Sequence, residues 1–282
     1  MARQTIEVRP LTSAIGAEIH GIDLAKPVST KQLAQIRSSF LQYGVIFFRD
    51  QHLSEAQHEA FAERFGPINI NRFFKAVPGH PRIAEVRKEP EQKSNIGGGW
   101  HTDHSYDQVP ALGSILLARE VPTAGGDTSF ASMALAYEAL SDGLKRTLES
   151  LRAMHSARHV FGARADYLTH TDLQGRLGNS DLASLDAVHP MVVRHPDTGR
   201  KTLYVNPGFT IGIEGWTAAE SQALLTFLYA HATKPEFTCR FKWQAGSMAF
   251  WDNRATWHYA ANDYQGSRRL MHRITIDGTP FQ

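Results

Sequence analysis

Between Phe237 and Ile276 the chain reads as one strand after another with no helical segment between them, and that succession limits the folds open to it. Phe237 to Trp243 alternates, with Phe237, Cys239, Phe241 and Trp243 on one face and Thr238, Arg240 and Lys242 on the other. A period of two is the mark of a half-buried strand. Met248 to Trp251 and Leu270 to Ile276 predict two more. A doubly wound parallel sheet needs a crossover helix after each strand, whereas antiparallel strands follow one another through short turns. The spacing therefore predicts a mainly β architecture with flanking helices, a β-sandwich or jelly roll.

The helices announce themselves by their first residues. Ser29 with Gln32, Ser54 with Gln57 and Thr217 with Glu220 each set a hydroxyl three residues before a Glu or Gln. Each side chain of such a pair can satisfy a backbone N–H near the other at a helix start. The first helix would bury Leu33, Ile36 and Phe40, the second Phe61 and Phe65 before Gly66-Pro67 stops it, and the third Leu224, Leu225 and Leu228. Further helices are predicted over 133–140 and 144–151, and further strands over 45–48, 114–117, 191–193 and 203–205. The polar, glycine-bearing stretch 164–184 reads as a loop or lid. At 282 residues the chain fits one elaborated domain over 1–282 better than two.

Composition removes some classes of partner. Lys and Arg total 30 against 28 Asp and Glu, a net charge of +2, which offers no electrostatic footing for nucleic acid or an anionic membrane. No stretch reaches the roughly 18 apolar residues of a membrane span, and MARQTIEVRP lacks the apolar run of a signal peptide. The single cysteine, Cys239, forbids an intrachain disulfide and suits a reducing compartment. The expected setting is cytoplasmic, with a small molecule as partner and a homo-oligomer left open.

With 14 histidines in the chain, a metal claim has to say why some are chosen and others not. The pattern His-x-Asp occurs three times, as His101/Asp103, His170/Asp172 and His195/Asp197. His170 sits in the polar run THTDLQGRLGNSD and His195 in the turn-like HPDTGR, so both are expected at the surface. His101 instead follows Gly97-Gly98-Gly99-Trp100, where small residues let the backbone come close to a sheltered site. In an extended strand, residues two apart share a face at a separation of about 6.6 Å, so His101 and Asp103 can converge on one cation.

A third ligand from a later strand would complete two histidines and a carboxylate on one face of an octahedron. That arrangement suits iron(II) enzymes that bind a cosubstrate and O₂ at the open positions. Two histidines compete for the place. His258 lies in MAFWDNRATWHYA, which reads as a strand, a turn at Asp252-Asn253-Arg254 and a second strand, hence a hairpin. His272 shares its face of the last strand with Leu270 and Ile274 and fits a packed core histidine better. On the opposite face stand Arg269 and Arg273, ~13 Å apart in an extended strand and so able to address two different anions. A guanidinium grips carboxylate or sulfonate through a planar fork. Two surface ion pairs are the alternative.

These segments resemble the iron(II)/2-oxoglutarate dioxygenases of the taurine dioxygenase and 2,4-dichlorophenoxyacetate dioxygenase family. The likeness covers nearly the whole chain, through IGAEIHGIDLAKPVS, GVIFFRDQHLS, WHTDHS, the GGDT of Gly125 to Thr128, YVNPGFT, WDNRATWHYA and RRLMHRITI. It implies a double-stranded β-helix, a cupin-like jelly roll. It further implies that His101, Asp103 and His258 hold iron(II), that Thr128 and Arg269 take the distal carboxylate of 2-oxoglutarate, and that Arg273 stands near the acidic group of the primary substrate. Phe161 and Phe209 match positions lining the substrate pocket. The implied chemistry couples O₂ and the loss of CO₂ from 2-oxoglutarate, which becomes succinate, to hydroxylation of a substrate C–H bond. Hydroxylation beside a heteroatom gives a product that falls apart, so the net result can be C–O or C–S cleavage.

The match has gaps. Taurine dioxygenases carry a His, a Tyr and an Asn where this chain has Asn71, Phe74 and Gly97. An amino-sulfonate would be poorly paired there, which is costly in a buried site. The expected substrate is instead an anion with an apolar or aromatic body, such as an aryloxyalkanoate, a sulfonate or a sulfate ester. Asn71, Phe73, Phe74, Phe161 and Phe209 are its expected neighbours, with His104 as a further hydrogen-bonding candidate. Taurine itself is the alternative. A zinc hydrolase on the same ligands is disfavoured because its helical His-Glu-x-x-His is absent. A silent metal-binding jelly roll would have no use for the threonine and the two arginines.

Overall fold

The computed structural model describes residues 5–162, 175–183 and 186–281. Most of the loop expected at 164–184 lies outside these residues, as do His170 and Asp172. Two sheets face each other, with helices on the outside. The larger has nine strands, in the order Glu7–Pro10, Ala17–His20, Val45–Phe48, Met248–Asp252, Gly113–Glu120, Arg269–Ile276, His80–Lys88 and Ala76–Val77, with Ile68–Asn69 also paired to Arg269–Ile276. The smaller has three, Thr238–Phe241, Thr128–Ser132 and Thr256–Ala260. Arg152–Ser156 pairs with Asp186–Pro190 and Thr210–Ile213 in a third sheet.

In the large sheet Val45–Phe48 and residues 248–251 are covered on both faces, which is why they are apolar at every position rather than at alternate ones. Ile46, Phe48, Met248 and Phe250 pack outward against Ile36, Phe40 and Phe61 of two helices. Val45, Phe47, Ala249 and Trp251 point between the sheets, where they meet Phe130, Phe241 and Trp243. Phe47 stacks on Phe241 with ring centroids 4.0 Å apart, and burying each such side chain contributes about 1.5–3 kcal/mol. The helices Thr30–Tyr43, Glu55–Ala62 and Ala218–Ala232 each begin with the capping box read from the sequence. Among the described residues no helix is long and apolar enough to cross a membrane.

Several expectations change in detail. The second helix ends at Ala62, before Gly66, although Phe65 still packs against Phe61 and Phe250. The strands expected at 191–193 and 203–205 are Val192–Arg194 and Lys201–Leu203, paired with each other. Only Thr238–Phe241 of the segment 237–243 is in the ladder, because Phe237 closes the short 3₁₀ turn Pro235–Phe237; the alternation nevertheless leaves Cys239, Phe241 and Trp243 buried.

The hairpin expected around Asp252 does not form. Met248–Asp252 pairs only within the large sheet, whereas Thr256–Ala260 pairs with Thr128–Ser132 in the small one. Residues 252–255 therefore form a corner that passes the chain from one sheet to the other. A buried ionic cluster fixes this corner. Asp252 accepts from Arg254 Nε and Nη2 at 2.8 and 2.7 Å and from His195 Nε2 at 2.9 Å. His195 is thus not a surface residue: it is 3% exposed, and its Nδ1 accepts the backbone N–H groups of Asp197 and Thr198. The turn read in HPDTGR is real, but its histidine lies beneath it.

Candidate active site

The corner delivers His258 into the small sheet, and a single backbone bridge brings His101 beside it. His101 N donates to His258 O at 3.1 Å and His258 N to His101 O at 2.8 Å. His101 stands in this isolated bridge rather than in a continuous strand, and the chain turns at Asp103. The extended-strand reason for their convergence is therefore replaced by bridge and turn. His101, Asp103 and His258 each offer one ligand atom, all within 4.8 Å of one another. His101 Nδ1 donates to Gly99 O at 2.7 Å, which leaves Nε2 facing Asp103 Oδ1 at 3.9 Å. Gly208 backs this arrangement, since a Cβ there would stand 2.6 Å from His101 Cβ.

Electrostatics prepare the three groups for a cation. Burial pushes the pKa of His101 down, and burial together with His101 pushes that of His258 down further, so both rings are neutral and can donate a lone pair. Burial alone would raise the Asp103 carboxyl, but Arg273, His258, His101 and His104 hold it below the usual carboxylate range. Arg273 Nη1 donates to Asp103 Oδ1 at 3.1 Å, and Ser114 Oγ donates to Oδ2 at 2.8 Å. Two neutral imidazoles and one carboxylate form a donor set that fits iron(II).

The triad opens on a cavity of about 370 Å³, within the size range of small-molecule sites. Thr128, Arg269, Arg273, Phe74, Phe161 and Phe209 all line it with His101, Asp103 and His258. Arg269 is 5% exposed, and its Nε and Nη2 have no hydrogen-bond partner among the described residues. Its guanidinium lies 5.8 Å from the centre of the Trp243 ring, whose Nε1 donates to Thr128 Oγ1 at 2.9 Å. With that oxygen used as acceptor, the Thr128 hydroxyl proton is free for a ligand. Arg273 lies 4.4 Å over the ring of Phe74. The double-glycine turn before Thr128 is required by crowding, because a Cβ at Gly125, where φ is +77°, would lie 2.7 Å from Asp263 Oδ1.

Three expected substrate neighbours, Asn71, Phe73 and His104, are not part of the cavity wall; Phe73 stacks on Phe161 with ring centroids 4.3 Å apart. Asn71 Oδ1 instead accepts the backbone N–H groups of Phe73 and Phe74 at 2.9 and 3.0 Å, shaping the loop that presents Phe74. His104 is buried with its Nδ1 donating to Asp107 Oδ2 at 2.8 Å. His272 is packed as expected, although against Arg119 and Glu55 rather than among apolar groups. Arg269 and Arg273 are buried, which removes the surface-pair alternative.

A model of the family described as taurine catabolism dioxygenase TauD, TfdA family matches residues 7–275. The chain belongs to that family. An alkylsulfatase of Acinetobacter baylyi is 36% identical over 98% of this chain and 86% of its own length. An alpha-ketoglutarate-dependent sulfate ester dioxygenase of Pseudomonas putida is 32% identical over 97% of this chain and 90% of its own. A taurine dioxygenase structure from Burkholderia xenovorans matches with a TM-score of 0.82 and 40% identity, covering 97% of this chain and 91% of that one. The chain is thus a 2-oxoglutarate-dependent dioxygenase with the jelly-roll fold of the TauD/TfdA family.

Within this TauD/TfdA site, sequence reasoning missed the supports. Asn206 is fully buried in NPGFT, donates from Nδ2 to Ser105 Oγ and accepts from Phe209 N, each at 2.9 Å. It thereby ties the segment after Asp103 to the Gly208-Phe209 pair behind His101. Tyr106 and Leu177 add to the cavity wall. A polar residue inside an apolar segment is the only local sign that such supports leave.

Proposed function

We propose that His101, Asp103 and His258 hold iron(II), that Thr128 and Arg269 bind the distal carboxylate of 2-oxoglutarate, and that the enzyme hydroxylates a small anionic substrate at the carbon bearing its ester or ether oxygen. Iron(II) in that place supplies the O₂ chemistry coupled to decarboxylation of 2-oxoglutarate to succinate. This chain's residues do the rest. Arg273 pairs with the substrate's anionic head, as a planar fork suited to sulfate, sulfonate or carboxylate. Phe74, Phe161 and Phe209 enclose the apolar body and exclude water, and Phe74 and Gly97 offer an amine no side-chain acceptor. Collapse of the hydroxylated carbon would break its C–O bond: a sulfate ester would give inorganic sulfate and an aldehyde, whereas an aryloxyalkanoate would give a phenol and a 2-oxo acid that keeps the carboxylate.

The observation that carries the proposal is the pair of buried arginines on one strand facing one cavity with the three ligands. The sulfate-ester activity named for two relatives favours that head group over taurine. A cytoplasmic setting belongs to the same proposal. The test is succinate release, dependent on O₂ and iron(II), with medium-chain alkyl sulfates, alkyl sulfonates, aryloxyalkanoates and taurine in parallel. Taurine as the best substrate would overturn the choice of head group. Absence of a visible absorption band on adding 2-oxoglutarate to the iron(II) protein without O₂ would overturn the metal assignment.

A further inference from the structure

Asp103 has two carboxylate oxygens, and they are held differently. Oδ1 is the one that faces His101 Nε2, at 3.9 Å, and it accepts from Arg273 Nη1, a residue of the cavity wall, at 3.1 Å. Oδ2 accepts from Ser114 Oγ at 2.8 Å. Ser114 Oγ itself accepts from Asn253 Nδ2 at 3.0 Å, so its only proton is committed to Asp103. Asn253 and Ser114 are 1% and 0% exposed, so water does not compete for these bonds. The corner holds the ligand segment a second time, through Thr102 Oγ1, which donates to Asn253 O at 2.7 Å. The same corner leads directly into the strand that carries His258.

We propose that Ser114 and Asn253 are positioning residues that restrict Asp103 to a one-oxygen grip on the metal. The proposal rests on the metal reading given above. A carboxylate can bind a cation through one oxygen or two. If Asp103 used both, it would occupy one of the three positions that a chelating 2-oxo acid and O₂ need. Swinging Oδ2 onto the metal strands the Ser114 hydroxyl, and behind it the Asn253 amide, in a dry interior. The relay runs in one direction, Asn253 N–H to Ser114 O–H to Asp103 Oδ2. Neither residue lines the cavity, so neither touches the cosubstrate, and the side chain of Ser114 acts on it through Asp103.

The test compares Ser114→Ala, Asn253→Ala, the double variant and Ser114→Thr with the unaltered chain. Three quantities are measured: Mn(II) affinity of the metal-free protein, the 2-oxoglutarate dissociation constant of the iron(II) protein without O₂, and the melting temperature. Ser114→Ala is expected to keep or tighten Mn(II) binding while the 2-oxoglutarate dissociation constant rises about tenfold, the lower end for loss of an outer partner. The visible band should move with it. Asn253→Ala should act in the same direction, and the double variant no more strongly than Ser114→Ala, because the two act in series. Ser114→Thr, which keeps the hydroxyl, should restore cosubstrate binding. Unchanged 2-oxoglutarate affinity in Ser114→Ala overturns the proposal, and so does parallel loss of Mn(II) binding, cosubstrate binding and melting temperature. If Ser114→Ala fails to fold, Asn253→Ala decides by the same criteria. Failure of the unaltered chain to bind Mn(II) sinks the metal reading instead.

Discussion

Replacing Arg269 by methionine should weaken cosubstrate binding without weakening the protein. The guanidinium is 5% exposed, with Nε and Nη2 unpartnered, and burial lowers its pKa from the ordinary arginine value. It stays charged at any working pH, so the free enzyme bears the cost of an unpaired buried cation. A carboxylate that arrives in the cavity relieves that cost through two charge-assisted hydrogen bonds. At a net worth of roughly 1.5 kcal/mol each, their loss amounts to ~3 kcal/mol, a dissociation constant about 150-fold higher. Methionine fills much of the same volume with nothing to desolvate, so the ligand-free protein should be unchanged or about 1 kcal/mol more stable. Calorimetric titration with 2-oxoglutarate and thermal melts without it give both numbers. A dissociation constant within threefold of the unaltered value, or a clearly lower melting temperature, would show that Arg269 serves the fold rather than the ligand.

Other predictions probe different parts of the site. Arg273→Ala should raise the Michaelis constant of the anionic substrate about tenfold or more while affecting 2-oxoglutarate far less; equal losses on both molecules would refute that division. Gly208→Ala puts a methyl 2.6 Å from His101 Cβ, so Mn(II) affinity should fall about tenfold, and undiminished affinity would mean the neighbouring backbone yields freely. His58 is fully buried with neither ring nitrogen partnered, and burial, with Arg119 and His272 adding to it, pushes its pKa down to about 3. The unfolded chain therefore takes up a proton near pH 6.5 that the folded chain refuses, and stability drops as pH falls from about 6.5 toward 3, by ~1.4 kcal/mol per unit. His155, pushed down to about 3 by burial and His189, adds a similar slope. Urea titrations between pH 7 and 5 should find one slope missing in His58→Leu; an unchanged profile would exclude His58 as a contributor.

What the sequence could convey follows the distance over which each device operates. The capping boxes were readable because both partners sit within four residues, and the apolar runs because burial on two faces leaves no polar position. The corner at residues 252–255 was misread as a hairpin because both show turn residues between apolar strands. What distinguishes them is His195, whose contact with Asp252 spans 57 residues. His195 was set at the surface for the same reason, since its turn was visible and the carboxylate beneath it was not. The candidate ligands emerged from local pattern and family likeness. Asn253 and Trp243 could not, because each acts across remote parts of the chain: Asn253 reaches Ser114 over 139 residues and Trp243 reaches Thr128 over 115.

The backbone bridge between His101 and His258 also bears on how the chain comes to life. One donor strand belongs to the small sheet, while Asp103 is fastened through Ser114 to the large one. A contact as remote in sequence as that of His101 with His258 is expected to close late, after nearer ones have formed. If the three residues hold iron(II) as proposed, a half-folded molecule lacks the triad that would capture the ion, and oxidising power waits until the sandwich that must contain it has shut.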